Sequence, residues 1–351
     1  MKSLIYGYGI TGQSFEKYLI RNNIEYEIYD DNKSLYISDR FTSELNQNWD
    51  VIYCSPGITK NNIQKLKSLK YQCIKTDIEI FCSENSSIKI GITGTNRKST
   101  TCFHLFQLLS KKFQVNLIGN IGEPVLNHLK DGVDYSIIEL SSQQLDKLES
   151  IELDYGVLLN IAPDHIDYHG SFEEYKRVKK RILEAQKSSF ENDPFELYKW
   201  ITGEEAEAIQ LADLPFRFQM ISKSIINDSK STNMHSLEYA IEKANKYFKN
   251  SSYHLIVCGN PEKEGFRKFS VKGPKNIFII GKHALDIDKC IDHQNKIIFK
   301  NFNEALLKIS NETFQNILFS PGFPSGNDFK NFEDRGIFFN ESVKKILSND
   351  I

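Results

Sequence analysis

The side chains best suited to chemistry lie in one ten-residue stretch, Gly91–Thr100, which reads Gly-Ile-Thr-Gly-Thr-Asn-Arg-Lys-Ser-Thr. An apolar run that ends at Thr93 predicts a strand before it, and an amphipathic run predicts a helix after it. A strand, a tight loop and a helix N-terminus direct backbone N–H groups at phosphate oxygens. Lys98 would contact the β and γ phosphates of a nucleotide, and the Ser99 hydroxyl would bind Mg²⁺.

This stretch predicts a nucleotide phosphate site; the alternative is a turn that contains these residue types by chance. The face of the predicted helix comprises Phe103, Phe106, Leu109 and Phe113. The expected phosphate contacts come from Gly91, Thr93, Gly94, Thr95, Asn96, Arg97, Lys98, Ser99 and Thr100.

Arg97 stands where a strict Walker pattern has a glycine before the lysine. If this position needs a positive φ, a residue with a Cβ costs on the order of 1 kcal/mol there. The guanidinium would either add a phosphate contact or point into solvent.

A second glycine-rich loop, Gly7–Gly12, follows the apolar run at the N-terminus, and Asp30 follows the next predicted strand. Alone, this pattern is the fingerprint of a dinucleotide site with its ribose-binding acid. An NAD-dependent enzyme is therefore one interpretation of the first block of the chain.

Three further candidates are weaker when each is taken alone. Glu139 ends the predicted strand Tyr135–Leu140, at the carboxyl edge where open α/β sheets bind ligands. His165 follows the predicted strand Tyr155–Asn160, and Lys179 lies in a basic helical run. Without other information, these would be a solvated strand end, a surface histidine and a solvated charged face.

The composition excludes several classes of protein. The formal net charge of −2 gives no reason to expect a nucleic-acid partner. No apolar run approaches the roughly 20 residues of a membrane span, so membrane insertion is not expected. The six cysteines are scattered without a metal-binding spacing, which indicates reduced thiols in the cytoplasm.

Short apolar strands alternate with helical patterns, which predicts an α/β fold with mainly parallel sheets. With 351 residues the chain suits two or three domains, and we divide it into residues 1–84, 85–215 and 216–351. Residues 188–214 are charged and contain no convincing strand. In the third block we predict strands at Ile225–Asn227, His254–Cys258, Asn276–Ile280, Lys296–Phe299 and Ile317–Phe319.

The order of the motifs resembles the Mur ligase family. The phosphate loop resembles that family's Gly-Thr-Asn-Gly-Lys-Ser-Thr, with Arg97 in place of its third glycine. The further matching stretches are, in order, Gly119–Gly122, Glu139–Ser142, Asn160–His165, Asn227–Asn233 and Phe329–Gly336. The branch that adds D-glutamate to UDP-N-acetylmuramoyl-L-alanine is favoured by Ser55–Ile58, Asp77–Glu79, Asp228–Asn233 and Phe329–Gly336.

The resemblance implies a Rossmann-like N-terminal domain that binds the UDP-substrate, a central P-loop ATPase domain and a Rossmann-like C-terminal domain that binds the amino acid. The implied reaction uses ATP and Mg²⁺ to make an acyl phosphate for peptidoglycan precursor synthesis in the cytoplasm. A monomer is expected. Because water would hydrolyse the acyl phosphate, the third domain is expected to swing inward when ATP binds.

The resemblance also implies roles for individual residues. Lys98, Glu139, His165 and Lys179 would be catalytic, and Mg²⁺ would be held by Ser99, Glu139, His165 and a carbamylated Lys179. ATP would further contact Arg217 and Asp228. The UDP-substrate would contact Gly9, Ile10, Thr11, Gly12, Asp30, Asn120 and Ser141. D-Glutamate would contact Lys230, Thr232, Lys263, Ser325 and Phe332.

The chain departs from the family pattern at two further places. The His-Asn-x-x-Asn motif near adenine is absent, and no arginine near Asn32 is present to pack on uracil. The interval from Lys179 to Arg217 looks too short to hold that motif and the family's usual strands, so a shortened central domain is expected. These departures, with Arg97, leave a catalytically impaired Mur-like UDP-sugar-binding protein as an alternative. An active ligase is favoured because the phosphate and metal ligands are all present, whereas an NAD enzyme would leave the second phosphate loop unexplained.

Overall fold

The computed structural model describes residues 2–36, 38–58, 60–249, 251–264, 268–310, 316–326 and 328–346. The chain forms two compact units, Met1–Leu211 and Ala212–Ile351. Strands and helices alternate throughout, and almost all strand pairs are parallel. The predicted α/β class is therefore confirmed. No helix among the described residues is long and apolar enough to span a membrane.

The first sheet has the strand order β2-β1-β3-β4, with every pair parallel. Its central strand β1 is buried along its whole length, so both faces must be covered by other elements. The elements are β1 (Ser3–Tyr6), α1 (Ile10–Arg21), β2 (Tyr26–Tyr29), β3 (Asn48–Cys54), α2 (Lys60–Ser68), β4 (Lys70–Lys75) and α3 (Asp77–Glu84).

The second sheet has the order β6-β7-β5-β8-β9, and all its strands are parallel. The carboxyl ends of β7, β5 and β8 consequently meet at one edge, where loops carry the candidate residues. The elements are β5 (Ile88–Thr93), α4 (Lys98–Leu109), β6 (Val115–Gly119), β7 (Tyr135–Glu139), α5 (Ser142–Lys147), β8 (Tyr155–Leu158), α6 (Ile166–His169), α7 (Phe172–Lys180), β9 (Lys187–Ser189) and α8 (Pro194–Thr202).

The predicted helix after the phosphate loop exists as α4, but of its predicted apolar face only Leu109 is fully buried. The buried face consists of Cys102, Leu105, Leu108 and Leu109, which pack on the sheet residues Ile90 and Ile92. Phe103 and Phe106 are only half-buried, and the helix ends before Phe113. Compact aliphatic side chains fill the space next to the sheet, and the larger aromatic rings lie at its margin.

Residues 188–214 contain a helix that the sequence analysis did not predict. Helix α8 begins after Asp193, whose carboxylate accepts hydrogen bonds from the N–H groups of Phe195 and Glu196. It ends at Gly203, whose φ of +78° is a left-handed helix cap. Its buried side chains Leu197, Tyr198 and Ile201 belong to the same core as those of α4.

The second unit is built on one six-stranded sheet of order β10-β11-β17-β12-β14-β16, in which only the edge strand β10 is antiparallel. The five strands predicted for this block are confirmed as β11, β12, β14, β16 and β17. The elements are β10 (Gln219–Met220), β11 (Ile225–Asn227), α9 (Met234–Phe248), β12 (Tyr253–Cys258), β13 (Phe269–Ser270), β14 (Asn276–Ile280), α10 (Ala284–Cys290), β15 (Ile291–Asp292), β16 (Lys296–Phe299), α11 (Phe302–Ser310), β17 (Asn316–Gly322) and α12 (Phe332–Ile346).

Each of the three predicted blocks contains a sheet of its own, but the first two share a core. Ile5 and Phe15 of the first sheet layer belong to one buried cluster with Ile138 and Leu140 of the second. The boundary between the compact units lies at Leu211 and Ala212, a few residues before the predicted boundary at 215. The division into residues 1–84, 85–215 and 216–351 stays a prediction.

Candidate functional site

The phosphate loop is held in shape by the loop that follows the neighbouring strand β8. The Asn160 side chain accepts a hydrogen bond from Asn96 N at 2.9 Å and donates one to Asn96 O at 3.0 Å. Thr95 N donates to Asn160 O, and the hydroxyls of Thr95 and Tyr175 lie 2.9 Å apart. The loop therefore has a fixed shape without relying on a ligand.

Asn160 lies in one of the motifs that resemble the family, but neither Asn160 nor Tyr175 was predicted to have a role. A polar amide directly after a strand was a usable signal, since such side chains often bond to nearby backbone groups. What the sequence could not tell is that β8 lies beside β5, which brings the two loops together.

Arg97 adopts the left-handed conformation, with φ +66° and ψ 0°, immediately before α4. Its side chain is exposed. The conformational requirement considered from the sequence is therefore confirmed, and a residue other than glycine meets it at a cost of about 1 kcal/mol.

Two lysines approach the same loop from different elements. Lys98 Nζ donates to Gly94 O at 2.7 Å and to Thr95 O at 2.9 Å. Lys179 Nζ, which α7 brings into the interior, donates to Thr93 Oγ1 at 2.8 Å and also to Gly94 O at 2.9 Å. Burial, together with the charge of Lys98, lowers the pKa of Lys179 well below its usual value.

Glu139 ends β7 and supplies a buried carboxylate. Its Oε1 accepts a hydrogen bond from Asn120 Nδ2 at 2.8 Å, whereas its buried Oε2 has no hydrogen-bond partner. A buried carboxylate oxygen without a donor is costly, and a bound cation would remove that cost. Its charge also acts on Lys179, so the two side chains lie within electrostatic range.

His165 has a left-handed backbone, with φ +50° and ψ +34°, at the start of α6. Its side chain is 43% exposed, so it is partly shielded from water, and its Nε2 lies 3.9 Å from Asp164 Oδ2. Partial burial lowers the pKa of His165, as do the charges of Lys98 and Lys179, while Asp164 opposes the shift. The structure thus brings Lys98, Glu139, His165 and Lys179 to one edge of the second sheet.

The donor set at this edge suits Mg²⁺ only in part. Within the described ranges, no group of three or more His, Cys, Asp or Glu side chains could hold a metal ion. Glu139 fits the requirement, because its Oε2 is unpartnered and buried. Ser99 is buried in the first turn of α4 and adds a hydroxyl, whereas Thr100 beside it is half-buried.

The first glycine-rich loop has the geometry that a close approach of the backbone requires. Gly7 has a φ of +91°, and a Cβ on Gly12 would lie 2.2 Å from Gly7 O. Gly9 precedes the first turn of α1, where Ile10 and Thr11 present backbone N–H groups. These positions are compatible with the predicted phosphate contact.

Asp30 supports the glycine-rich loop from the end of β2. Its Oδ2 accepts from Tyr8 N at 2.7 Å, and its Oδ1 accepts from Asn32 N at 2.8 Å. Asp30 therefore shapes the loop, and the contact predicted for it with the UDP-substrate stays a prediction.

Asn120 and Ser141, both predicted to contact the UDP-substrate, make protein contacts at the edge of the second sheet. Asn120 holds the Glu139 carboxylate. Ser141 caps α5, where its hydroxyl accepts from Gln144 N at 3.2 Å and Gln144 Oε1 accepts from Ser141 N at 2.8 Å. Both residues thus position neighbouring groups.

In the second unit, Asp228 follows β11 and accepts hydrogen bonds from two other segments. Phe218 N donates to its Oδ1 and Ser320 Oγ to its Oδ2, both at 2.9 Å. Burial raises the pKa of Asp228 to about 7, although both hydrogen bonds and the charge of the nearby Arg217 act in the opposite direction. Arg217 lies between Phe216 and Phe218, which have φ values of +61° and +55°.

The predicted D-glutamate residues fall on neighbouring loops of the second unit. Lys230 Nζ lies 3.9 Å from the centre of the Phe332 ring, an attractive cation–π contact. Thr232 and Ser325 are half-buried on the loops after β11 and β17. The side chain of Lys263 lies outside the described residues.

Comparison with known proteins gives one consistent family. The model of the Mur ligase middle domain matches residues 92–255. A UDP-N-acetylmuramoylalanine--D-glutamate ligase of Buchnera aphidicola subsp. Schizaphis graminum is 29% identical, over 98% of this chain and 98% of that protein. A ligase of the same name from Thermosipho africanus is 27% identical, over 99% of each chain.

The match with the Buchnera protein spans 436 positions, whereas this chain has 351 residues, so at least 85 of those positions have no counterpart here. The Buchnera protein thus carries segments that this chain lacks.

Solved structures agree on the fold. The MurF ligase of Thermotoga maritima in complex with ADP superimposes with a TM-score of 0.59 at 17% identity, over 99% of this chain and 95% of that one. A pseudomurein peptide ligase type C from Methanothermus fervidus gives 0.56 at 16% identity, over 98% and 99%. These matches show that the chain is similar to Mur ligases over nearly its full length, and that it shares their fold.

Proposed function

We propose that the chain is an ATP-dependent, ADP-forming ligase that joins D-glutamate to UDP-N-acetylmuramoyl-L-alanine in peptidoglycan precursor synthesis. The observation that carries this proposal is the arrangement of side chains at the carboxyl edge of the second sheet. There, the amino groups of two lysines share one carbonyl of the phosphate loop, close to a buried carboxylate with an unpartnered oxygen. Relatives that carry this function's name match the chain over nearly its full length.

The reaction proceeds in two displacements. An oxygen of the UDP-substrate carboxylate bonds to the γ phosphorus of ATP, and the bond from that phosphorus to the bridging oxygen breaks to release ADP. The neutral amine of D-glutamate then bonds to the carbonyl carbon of the acyl phosphate, inorganic phosphate leaves with the electron pair, and the amine loses a proton. The protein's contribution is to neutralise charge and to position the reactants.

Lys98 is the residue of this chain that would meet the phosphate charge. Its ammonium now satisfies two loop carbonyls, Gly94 O and Thr95 O, and it lies in the first turn of α4 beside the backbone N–H groups of the helix N-terminus. A phosphate group bound there would receive donors from the ammonium group and the backbone together.

Ser99 and Glu139 would hold Mg²⁺, with His165 and a carbamylated Lys179 as further ligands. When bound, the ion would screen the negative charge between the phosphate tail and the attacking carboxylate. The unpartnered Glu139 Oε2 supports the first pair.

The lowered pKa of Lys179 supports its proposed modification. Burial favours the neutral amine, which is the form of a lysine that acts as a nucleophile. Carbamylation would convert this buried base into an anionic oxygen ligand, in line with the preference of Mg²⁺ for oxygen ligands. A mass spectrum of the native protein with an added 44 Da that is lost on acidification would support the modification, and its absence in bicarbonate buffer would count against it.

The two substrates are assigned to different loops. The loop with Gly9, Ile10, Thr11 and Gly12 would bind the UDP moiety through backbone N–H groups, with Asp30 behind it. Lys230, Thr232, Ser325 and Phe332 would bind D-glutamate, and Lys263 is carried by the family resemblance alone. Arg217 and Asp228 would contact ATP.

All six cysteines of the chain are free thiols, which supports the proposed cytoplasmic location.

The decisive experiment measures phosphate release with ATP, Mg²⁺ and UDP-N-acetylmuramoyl-L-alanine, with each candidate amino acid supplied in turn. We expect release that depends on D-glutamate, and its loss in Lys98→Ala. If the wild-type protein binds the UDP-substrate but releases no phosphate with any amino acid, the chain is a UDP-sugar-binding protein and not a ligase.

A further inference from the structure

Arg335 is a fully buried arginine on α12 to which no role has been assigned so far. Its Nε donates to Ser229 Oγ at 3.1 Å and its Nη2 to Ser229 O at 2.8 Å. Its Nη1 donates to Phe323 O at 3.0 Å. One guanidinium group thus links α12 with the turn after β11 and the loop after β17.

All three of these hydrogen bonds end on neutral oxygens. Removing a guanidinium group from water costs several kcal/mol, and a neutral acceptor repays less of that cost than a carboxylate does. What the three hydrogen bonds do supply is geometry, because they fix the relative positions of the three segments.

The three linked segments carry the proposed amino-acid site. Lys230 follows Ser229 directly on the loop after β11 and Thr232 lies three residues beyond Ser229, while Ser325 lies two residues beyond Phe323. Phe332 begins α12, one turn before Arg335, and its carbonyl accepts a hydrogen bond from Ser229 Oγ at 2.8 Å. Because β11 and β17 are neighbouring parallel strands, these loops emerge at one edge of the sheet.

We propose that Arg335 is a positioning residue for the amino-acid acceptor site, which holds these three segments in the register that D-glutamate recognition needs. This inference rests on the proposed ligase function. Arg335 does not touch the substrate, since its side chain has no exposed surface. It acts through Ser229 and Phe323, whose neighbours along the chain make the proposed contacts with D-glutamate.

The test separates the Michaelis constants of the three substrates in Arg335→Met and Arg335→Lys. We expect the KM for D-glutamate to rise roughly tenfold or more in Arg335→Met, equivalent to about 1.4 kcal/mol. The KM for the UDP-substrate, whose proposed loop belongs to the first unit, should change by less than about twofold, or about 0.4 kcal/mol. Arg335→Lys should recover part of the loss, because an ammonium group can still reach some of the carbonyls.

Lys296→Met is the matched control. Lys296 Nζ also donates to two backbone carbonyls, Asp288 O at 2.6 Å and Ile291 O at 2.9 Å, but at the amino end of β16, the opposite edge of the same sheet. The Lys296→Met variant should have a lower free energy of unfolding and an unchanged KM for D-glutamate.

If Arg335→Met does not fold, Ser229→Ala provides the second test, since it removes one Arg335 contact and the bond to Phe332. A lower kcat with all three KM values unchanged in the folded variants would overturn the proposal, because a merely structural residue would reduce only the active fraction. A wild-type protein without D-glutamate-dependent turnover would instead refute the ligase function itself.

Discussion

At the scale of single residues, the sequence predicted the types and order of the candidate groups better than their contacts. The residues Lys98, Glu139, His165 and Lys179 do meet at one sheet edge. The sequence could not predict that Lys98 and Lys179 donate to the same carbonyl, because that depends on how deeply α7 inserts its lysine. Nor could it predict that Asn120 is bonded to Glu139, which requires the pairing of β6 with β7.

Replacing Arg97 with glycine should stabilise the protein. Glycine adopts a φ of +66° without steric cost, so relief of strain should raise the free energy of unfolding by about 1 kcal/mol. The greater conformational entropy of glycine in the unfolded chain should offset part of this gain. Urea unfolding of Arg97→Gly would measure this. Arg97→Ala, which keeps the Cβ but loses the guanidinium, should show no gain, and a gain as large as that of glycine would contradict the explanation from backbone strain.

Asp228 should make stability depend on pH. Its pKa is about 7 in the folded chain, against 3.8 for the unperturbed side chain, so the folded state holds the proton more tightly. This contribution is full below about pH 4 and is lost as the pH rises through about 7. Relative to Asp228→Asn, which cannot ionise, the wild-type protein should therefore lose stability between these values.

Chemical unfolding of both proteins at a series of pH values measures the difference. A difference in the free energy of unfolding that does not vary from pH 4 to pH 8 would show that Asp228 titrates normally in the folded chain.

At the scale of elements, the strands were easier to predict than the helices that cover them. Apolar runs in the third block identified five strands, because strands buried in a parallel sheet are continuously apolar. Helix α8 was missed because charged residues surround it, although Asp193-Pro194 at its start and Gly203 after its end are ordinary boundary signals. The buried face of α4 was assigned wrongly because the sequence offers two apolar faces.

Helix α8 should contribute to the stability of the second sheet layer. Leu197 has no exposed surface and packs in the core that contains Leu105 of α4. Leu197→Ala should therefore lower the free energy of unfolding by about 2–5 kcal/mol. Glu196→Ala, on the exposed side of the same helix, should change it by less than about 0.5 kcal/mol. Equal effects from both substitutions would show that α8 does not pack as described.

At the scale of the whole molecule, the chain keeps a sheet for each expected function while lacking at least 85 positions of a full-length relative. The sequence suggested a shortened central block, because the interval from Lys179 to Arg217 looked too short for the usual strands. In that interval the structure has a short 3-10 helix at Arg181–Glu184, the three-residue strand β9 and helix α8. The sequence could not predict which element lies beside α4 in this shortened part of the chain, since that depends on how the buried side chains of α8 pack.

The second unit should fold by itself. Two buried clusters made entirely of its own residues lie on the two sides of its sheet. Residues 212–351 expressed alone should unfold cooperatively in urea and release no phosphate from ATP, because Lys98 and Glu139 belong to the first unit. A non-cooperative transition, with binding of a dye for exposed apolar surface, would contradict this expectation.

Gly336 has a consequence for the path by which the chain enters the second unit. A Cβ at this position would lie 2.4 Å from the ring of Phe216, so the ring occupies the space that any side chain would need. Phe216 and Phe218 both have unfavourable left-handed backbones, which such packing must hold in place. One methyl group at this position would therefore displace the Phe216 ring, and with it the Phe216 carbonyl that accepts the N–H of Lys230 at 3.0 Å.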